Sequence, residues 1–98
     1  MKIEVLDLAR QEFDDAFVRY ESQSPGLGEA LRSAVKLQVQ KIKAHPDAWM
    51  LVRPGIRKRL GHTFPYDVIY QRVPHGILIL ALAHKKRAPM YWIERARR

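Results

Sequence analysis

Residues 66–83, Tyr-Asp-Val-Ile-Tyr-Gln-Arg-Val-Pro-His-Gly-Ile-Leu-Ile-Leu-Ala-Leu-Ala, decide the fold. Tyr66 to Val73 is rich in β-branched and aromatic residues, which suit a pleated, half-buried surface. Val73-Pro74-His75-Gly76 is a turn signal. Ile77 to Ala83 is apolar at every position, so it predicts a central strand covered on at least one side. Seven apolar residues are too few to cross a bilayer, which takes about 20 in a helix. Just upstream, Ile56-Arg57-Lys58-Arg59-Leu60 puts apolar residues at its ends and cations between, a third strand signal. Three strands in succession with short links predict an antiparallel meander.

The first half has a different period. Ile3, Val5 and Leu6 predict a short strand, and Asp7 is placed to cap the helix that follows. In that helix Phe13, Ala16, Phe17 and Tyr20 form one apolar stripe, with Glu12, Asp14, Asp15, Arg19 and Glu21 on other faces. Ser22-Gln23-Ser24-Pro25-Gly26 ends it. Ser24 as cap and Pro25 at the first position predict the start of a second helix. Leu27, Leu31, Ala34, Val35 and Ile42 line its inner side, and Glu29, Lys41 and Lys43 suit its dipole. His45-Pro46 stops it, and Trp49 follows as a core anchor. The expected architecture is α+β, in the order β-α-α-β-β-β. A helical hairpin packs on a small, mainly antiparallel sheet, and a short basic tail follows.

Ninety-eight residues predict one domain spanning 1–98. A chain of this size buries about 60–65% of the surface its unfolded form exposes. There is no cysteine, hence no disulfide, thiolate metal site or thiol nucleophile. The opening Met1-Lys2-Ile3-Glu4 lacks a signal peptide's apolar stretch. The expectation is a soluble, cytoplasmic domain with no membrane partner.

Charge is unevenly divided along the chain. Residues 1–48 hold seven Lys/Arg against eight Asp/Glu, a balance of −1. Residues 49–98 hold eleven against two, a balance of +9, which together give the net +8. The cations cluster at Arg57-Lys58-Arg59 and Lys85-Lys86-Arg87, near Phe64, Tyr66, Tyr70, Tyr91 and Trp92. Such a distribution predicts one cationic surface that attracts polyanions or acidic protein segments.

Other motifs carry less. His45 ends a helix, and His62 and His75 lie in turns. His84 ends the central strand beside the basic cluster and is the histidine placed for acid–base work. No histidine pair has the i, i+4 spacing of a helical metal site, so neither metal nor cofactor is expected. Gly26-Leu27-Gly28 follows a helix rather than a strand and lacks the Lys-Ser/Thr of a nucleotide loop. Tyr66 and Tyr70 share one strand face, where they either stack on bases or pack in a sheet surface.

Three stretches together are similar to the RelE/ParE superfamily of type II toxin–antitoxin modules. They are residues 20–29, YESQSPGLGE; residues 45–59, with HPDAW and RPGIRKR; and FPYDVIY at 64–70 followed by AHKKRAPMYW at 83–92. The last pair looks most like the ParE and plasmid-stabilisation branch. The resemblance implies a toxin that inhibits DNA gyrase and has no hydrolytic site. The alternative it implies is a ribosome-dependent, metal-independent mRNA endonuclease. On the first reading the target-binding residues are Arg57, Lys58, Arg59, Tyr66, Lys85, Lys86, Arg87, Tyr91 and Trp92. On the second, Arg57, Arg59, Lys85, Tyr91 and His84 carry the catalysis. Either reading implies a cognate antitoxin in a hetero-oligomer, with an acidic, partly disordered segment that folds on binding. Phe13, Phe17, Tyr20, Leu31 and Val35 on the helical hairpin are its candidate contacts. Charge reversal at Arg57 and Arg59, or at Lys85 and Lys86, is expected to leave the fold intact.

Overall fold

A computed structural model describes residues 1–97. Its element order is β1 (Lys2–Val5), α1 (Asp7–Gln23), α2 (Leu27–Ala44), β2 (Met50–Arg53), β3 (Ile56–Arg59), β4 (Tyr66–Val73) and β5 (Gly76–His84), with a 3-10 turn at Ile93–Arg95. The five strands form one sheet in the order β1-β5-β4-β3-β2. β1 runs parallel to β5, and every other pairing is antiparallel. The apolar stretch that predicted a central strand is therefore flanked on both sides.

One strand exceeds the expected count. Met50-Leu51-Val52-Arg53 pairs with β3 and forms the sheet's outer edge. Pro54-Gly55 makes the turn between them, with Gly55 at φ 76°, the left-handed region that glycine enters at little cost. Four residues are too short a run to show a period, so nothing in 50–53 marks a strand without its partner.

Both helix starts differ from the caps expected. Leu6 is the N-cap of α1 and Asp7 its first helical residue, so the Asp7 carboxylate acts on the dipole rather than on an orphan N–H. Ser24 closes α1 instead of opening α2: its N–H donates to Tyr20 O at 3.1 Å. The N-cap of α2 is Gly26, at φ 90°. Glu21 reaches across the turn and takes the N–H groups of Gly26 (3.0 Å) and Gly28 (2.9 Å). A carboxylate from the preceding helix thus satisfies donors that a local Ser cap would have served. A Cβ on Gly28 would sit 3.0 Å from the Phe17 ring, so this glycine lets the two helices approach.

The sheet is buried on both faces. The helix-side core contains Ala9, Ala16, Leu31, Ile42, Val68, Tyr70, Ile77 and Ile79. The opposite core contains Ile56, Ile69, Leu78, Leu80, Ala81, Ala83 and Trp92, with Met90, Tyr91 and Ala96 packed against it. The C-terminal segment is therefore a cover for the second face. A bulge reconciles these two sets. Ile69 pairs with Ala81 and Tyr70 with Ile79, which leaves Leu80 unpaired. That extra residue shifts the alternation, so Ile77 and Ile79 face the helices before it and Leu82 after it.

Candidate binding surfaces

Strand alternation splits the first basic cluster. Arg57 and Arg59 pair with Tyr70 and Val68, which face the helices, whereas Lys58 pairs with Ile69, which faces the C-terminal cover. Arg57 Nη1 donates to Trp49 O at 2.8 Å, and the Arg59 guanidinium lies over the Trp49 ring at 4.6 Å. Tyr70 OH donates to Pro46 O at 2.6 Å. These three side chains fasten residues 46–49 to the sheet. Arg57 and Arg59 are half-buried, so the expectation that their reversal spares the fold is corrected: they hold a loop.

The second cluster is anchored too. Lys85 pairs with Asp67, a buried carboxylate that also accepts the Gly61 N–H at 3.0 Å. Lys86 is exposed and has no acidic partner among the described residues. Arg87 lies 3.8 Å over the Tyr91 ring and 3.9 Å from Glu12.

Glu12 organises this end of the molecule. Its carboxylate accepts Tyr91 OH at 2.6 Å, Arg95 at 2.9 and 3.2 Å, and the Leu82 N–H at 3.1 Å. It thereby ties α1 to β5 and to the C-terminal cover. Burial, and then the bond to Glu12, pushes the Tyr91 phenol well above its ordinary range. At the far end of the cover, Arg97 makes a two-pronged pair with Glu4, at 3.1 and 2.6 Å. The Arg97 hydrogen bond holds the Glu4 carboxyl below its usual range.

The cations of the second half are thus spread over two faces, and several are matched by acids of the first half. Arg72–Asp47, Arg95–Glu12 and Arg97–Glu4 all join the halves. The segregation along the sequence is in part internal complementarity, and a single cationic face is not what forms.

The expected site residues divide accordingly. Lys58, His84, Lys85, Arg87 and Tyr91 line one cleft of about 190 Å³ under the cover, while Arg57 and Arg59 lie outside it. The His84 Nδ1 accepts the Lys86 N–H at 3.0 Å, and its ring sits edge-on to Tyr66, with centroids 5.0 Å apart. Tyr66 and Trp92 are buried, with 5% and 4% exposure, so neither ring offers a face to a partner. Packing decides the Tyr66–Tyr70 alternative, as both rings belong to the helix-side core. Leu31 is buried, and Phe13, Tyr20 and Val35 pack partly buried against that core. Phe17 is half-buried beneath Arg32, whose guanidinium lies 4.9 Å from its ring. The large apolar side chains that remain outward on the helices are Leu8, Val18 and Leu37.

Two structural residues carried a readable signal. Asp67 interrupts a β-branched and aromatic run, which marks a buried charge that needs a partner. Gln38 falls on the apolar stripe of α2, between Leu31, Val35 and Ile42. Glu12 carried none, because its partners lie at the other end of the chain.

No family model matches the chain, and no curated protein matches it significantly. Among solved structures it is similar to a chain of the chromosomal ParDE TA system from P. aeruginosa. The two share 20% identity over 86% of this chain and 95% of that one, with a TM-score of 0.65. The element order, the helical hairpin and the mostly antiparallel sheet agree with that likeness, and the chain has the ParE-like fold.

Proposed function

We propose that this protein is the toxin of a type II toxin–antitoxin module, that it arrests growth by binding DNA gyrase, and that a cognate antitoxin neutralises it in the cytoplasm. The fold likeness and the family resemblance support the toxin reading. One observation favours binding over hydrolysis: four of the five groups that the nuclease reading names, all but His84, are engaged within the fold. Cleavage needs a base for the 2′-hydroxyl, an acid for the leaving oxygen and cations for the phosphate. The Lys85 ammonium is held by Asp67, the Tyr91 hydroxyl is committed to Glu12, and Arg57 and Arg59 secure the 46–49 loop. Supercoiling by purified gyrase tests the target. Inhibition by antitoxin-free protein is expected, and unimpaired supercoiling at large excess excludes gyrase.

A second reading, ribosome-dependent mRNA cleavage, draws on the cleft that holds Lys58, His84 and Arg87 together. New mRNA 5′ ends in codon register after induction would favour it.

A further inference from the structure

The bulge in β5 leaves a gap on the helix side of the sheet. Leu80 and Ala81 both pack in the opposite core, so between Ile79 and Leu82 no side chain points toward the helices. Ala9, the small residue that α1 contributes here, does not fill the space. The result is a cavity of about 170 Å³. Phe13 of α1, Val35 and Val39 of α2, and Val68 and Ile79 of the sheet form its walls. Dry apolar cavities of about 150 Å³ accept a benzene molecule, so the space suits a hydrocarbon of that size. A void of this kind is destabilising, and a 98-residue chain has little stability to spare.

One polar side chain lines the cavity, that of Arg10. Arg10 and Val5 are exposed and mark its mouth. Asp7 and Asp14 lie about one turn away on either side along α1, yet Arg10 forms no ion pair among the described residues. These features select an occupant. The walls take a hydrocarbon of about six carbons. The guanidinium takes an anion, and a carboxylate matches its forked donors. A peptide fits poorly. β4 and β5 use their backbone groups in sheet pairing, and no wall side chain except that of Arg10 can hydrogen-bond, so the peptide's own N–H and C=O groups would go unmet. We propose that this cavity binds a small monocarboxylate, with its hydrocarbon tail between the helical hairpin and β5 and its carboxylate on Arg10. The site is independent of the toxin reading, since gyrase inhibition neither requires nor excludes it.

The test is NMR titration of methyl-labelled protein with sodium hexanoate at fixed pH, beside hexanol and acetate. Saturable shifts are expected at the methyl groups of Val35, Val39, Val68 and Ile79. Hexanol keeps the tail and loses the charge, so it should bind about tenfold more weakly, the loss of one favourable charge contact. Arg10→Gln should weaken hexanoate by the same factor and leave hexanol unchanged. Ala9→Leu should fill the cavity, abolish binding and raise the melting temperature. Arg10→Gln, at an exposed helix position, serves if Ala9→Leu does not fold. No methyl shifts at millimolar hexanoate overturn the proposal. An equal response to acetate also overturns it, because that would mark a bare anion contact. So does hexanol binding as tightly as hexanoate, or hexanoate affinity unchanged in Arg10→Gln, because either would leave Arg10 without a role.

Discussion

Glu12 and Arg95 lie 83 residues apart in the chain and meet through two hydrogen bonds, at 2.9 and 3.2 Å, where each side chain is only about one-seventh exposed. Arg95 also donates to Leu80 O at 3.0 Å, so the pair joins α1, β5 and the C-terminal cover at one point.

Removing Glu12 should therefore destabilise the whole domain. Glu12→Ala strands a partly buried guanidinium, a phenol and a backbone N–H, and should cost about 3 kcal/mol. Glu12→Gln keeps some acceptors and should cost less. Urea unfolding checks both, and a loss under about 0.5 kcal/mol for Glu12→Ala would show that the cover does not depend on this contact.

The two basic clusters should respond differently to charge reversal. Arg57→Glu with Arg59→Glu removes the bond to Trp49 O and the stack on the Trp49 ring, and should cost about 1–3 kcal/mol. Lys86→Glu touches no ion pair among the described residues and should stay within about 0.5 kcal/mol. Denaturation curves followed by tryptophan fluorescence separate the two cases.

Gly61→Ala should be among the most damaging single substitutions. A Cβ there would lie 1.9 Å from Tyr66 O, and the Gly61 N–H is already bound to Asp67. Backbone must move, at about 3 kcal/mol or more. A variant as stable as the parent, measured by thermal melting, would place the 61–66 loop elsewhere.

Stability should fall as the solution turns alkaline. Burial raises the phenols of Tyr66, Tyr70 and Tyr91, so the folded state keeps protons that the unfolded chain loses above about pH 10. The sign is fixed by that order: stability is intact below about pH 10 and declines as pH rises beyond it. Tyr91→Phe should flatten the decline, as read from unfolding midpoints between about pH 9 and 11.5. On the acid side, Glu4 has a lowered pKa, so its contribution is present above the unfolded carboxyl range near about 4.3 and fades as pH falls through the folded value.

The architecture was legible in the sequence because the decisive signals are local. A seven-residue apolar run, a Pro-Gly-bounded β-branched stretch and two amphipathic stripes need no partner to be read. The edge strand 50–53 was not legible, since four residues acquire their identity only from β3. The cap of α2 moved because Glu21, from the preceding helix, takes the N–H groups that Ser24 was expected to serve. The candidate site was legible only in part. Residue type marked Arg57, Arg59, Lys85 and Tyr91, but strand alternation places Arg57 and Arg59 on one face and Lys58 on the other. Glu12 and Asp67 then engage two of the groups that composition alone presents as reactive. Linear charge segregation misled for a related reason: Glu4, Glu12 and Asp47 pair across the halves, and pairing over such distances leaves no local trace.

A binding toxin aimed at gyrase is tested most directly by the topology of a reporter plasmid in cells, sampled within minutes of inducing the chain without antitoxin. Negative supercoiling should be lost before growth stops, with mRNA 5′ ends unchanged. Normal supercoiling in arrested cells, accompanied by codon-register mRNA cleavage, would contradict gyrase as the target.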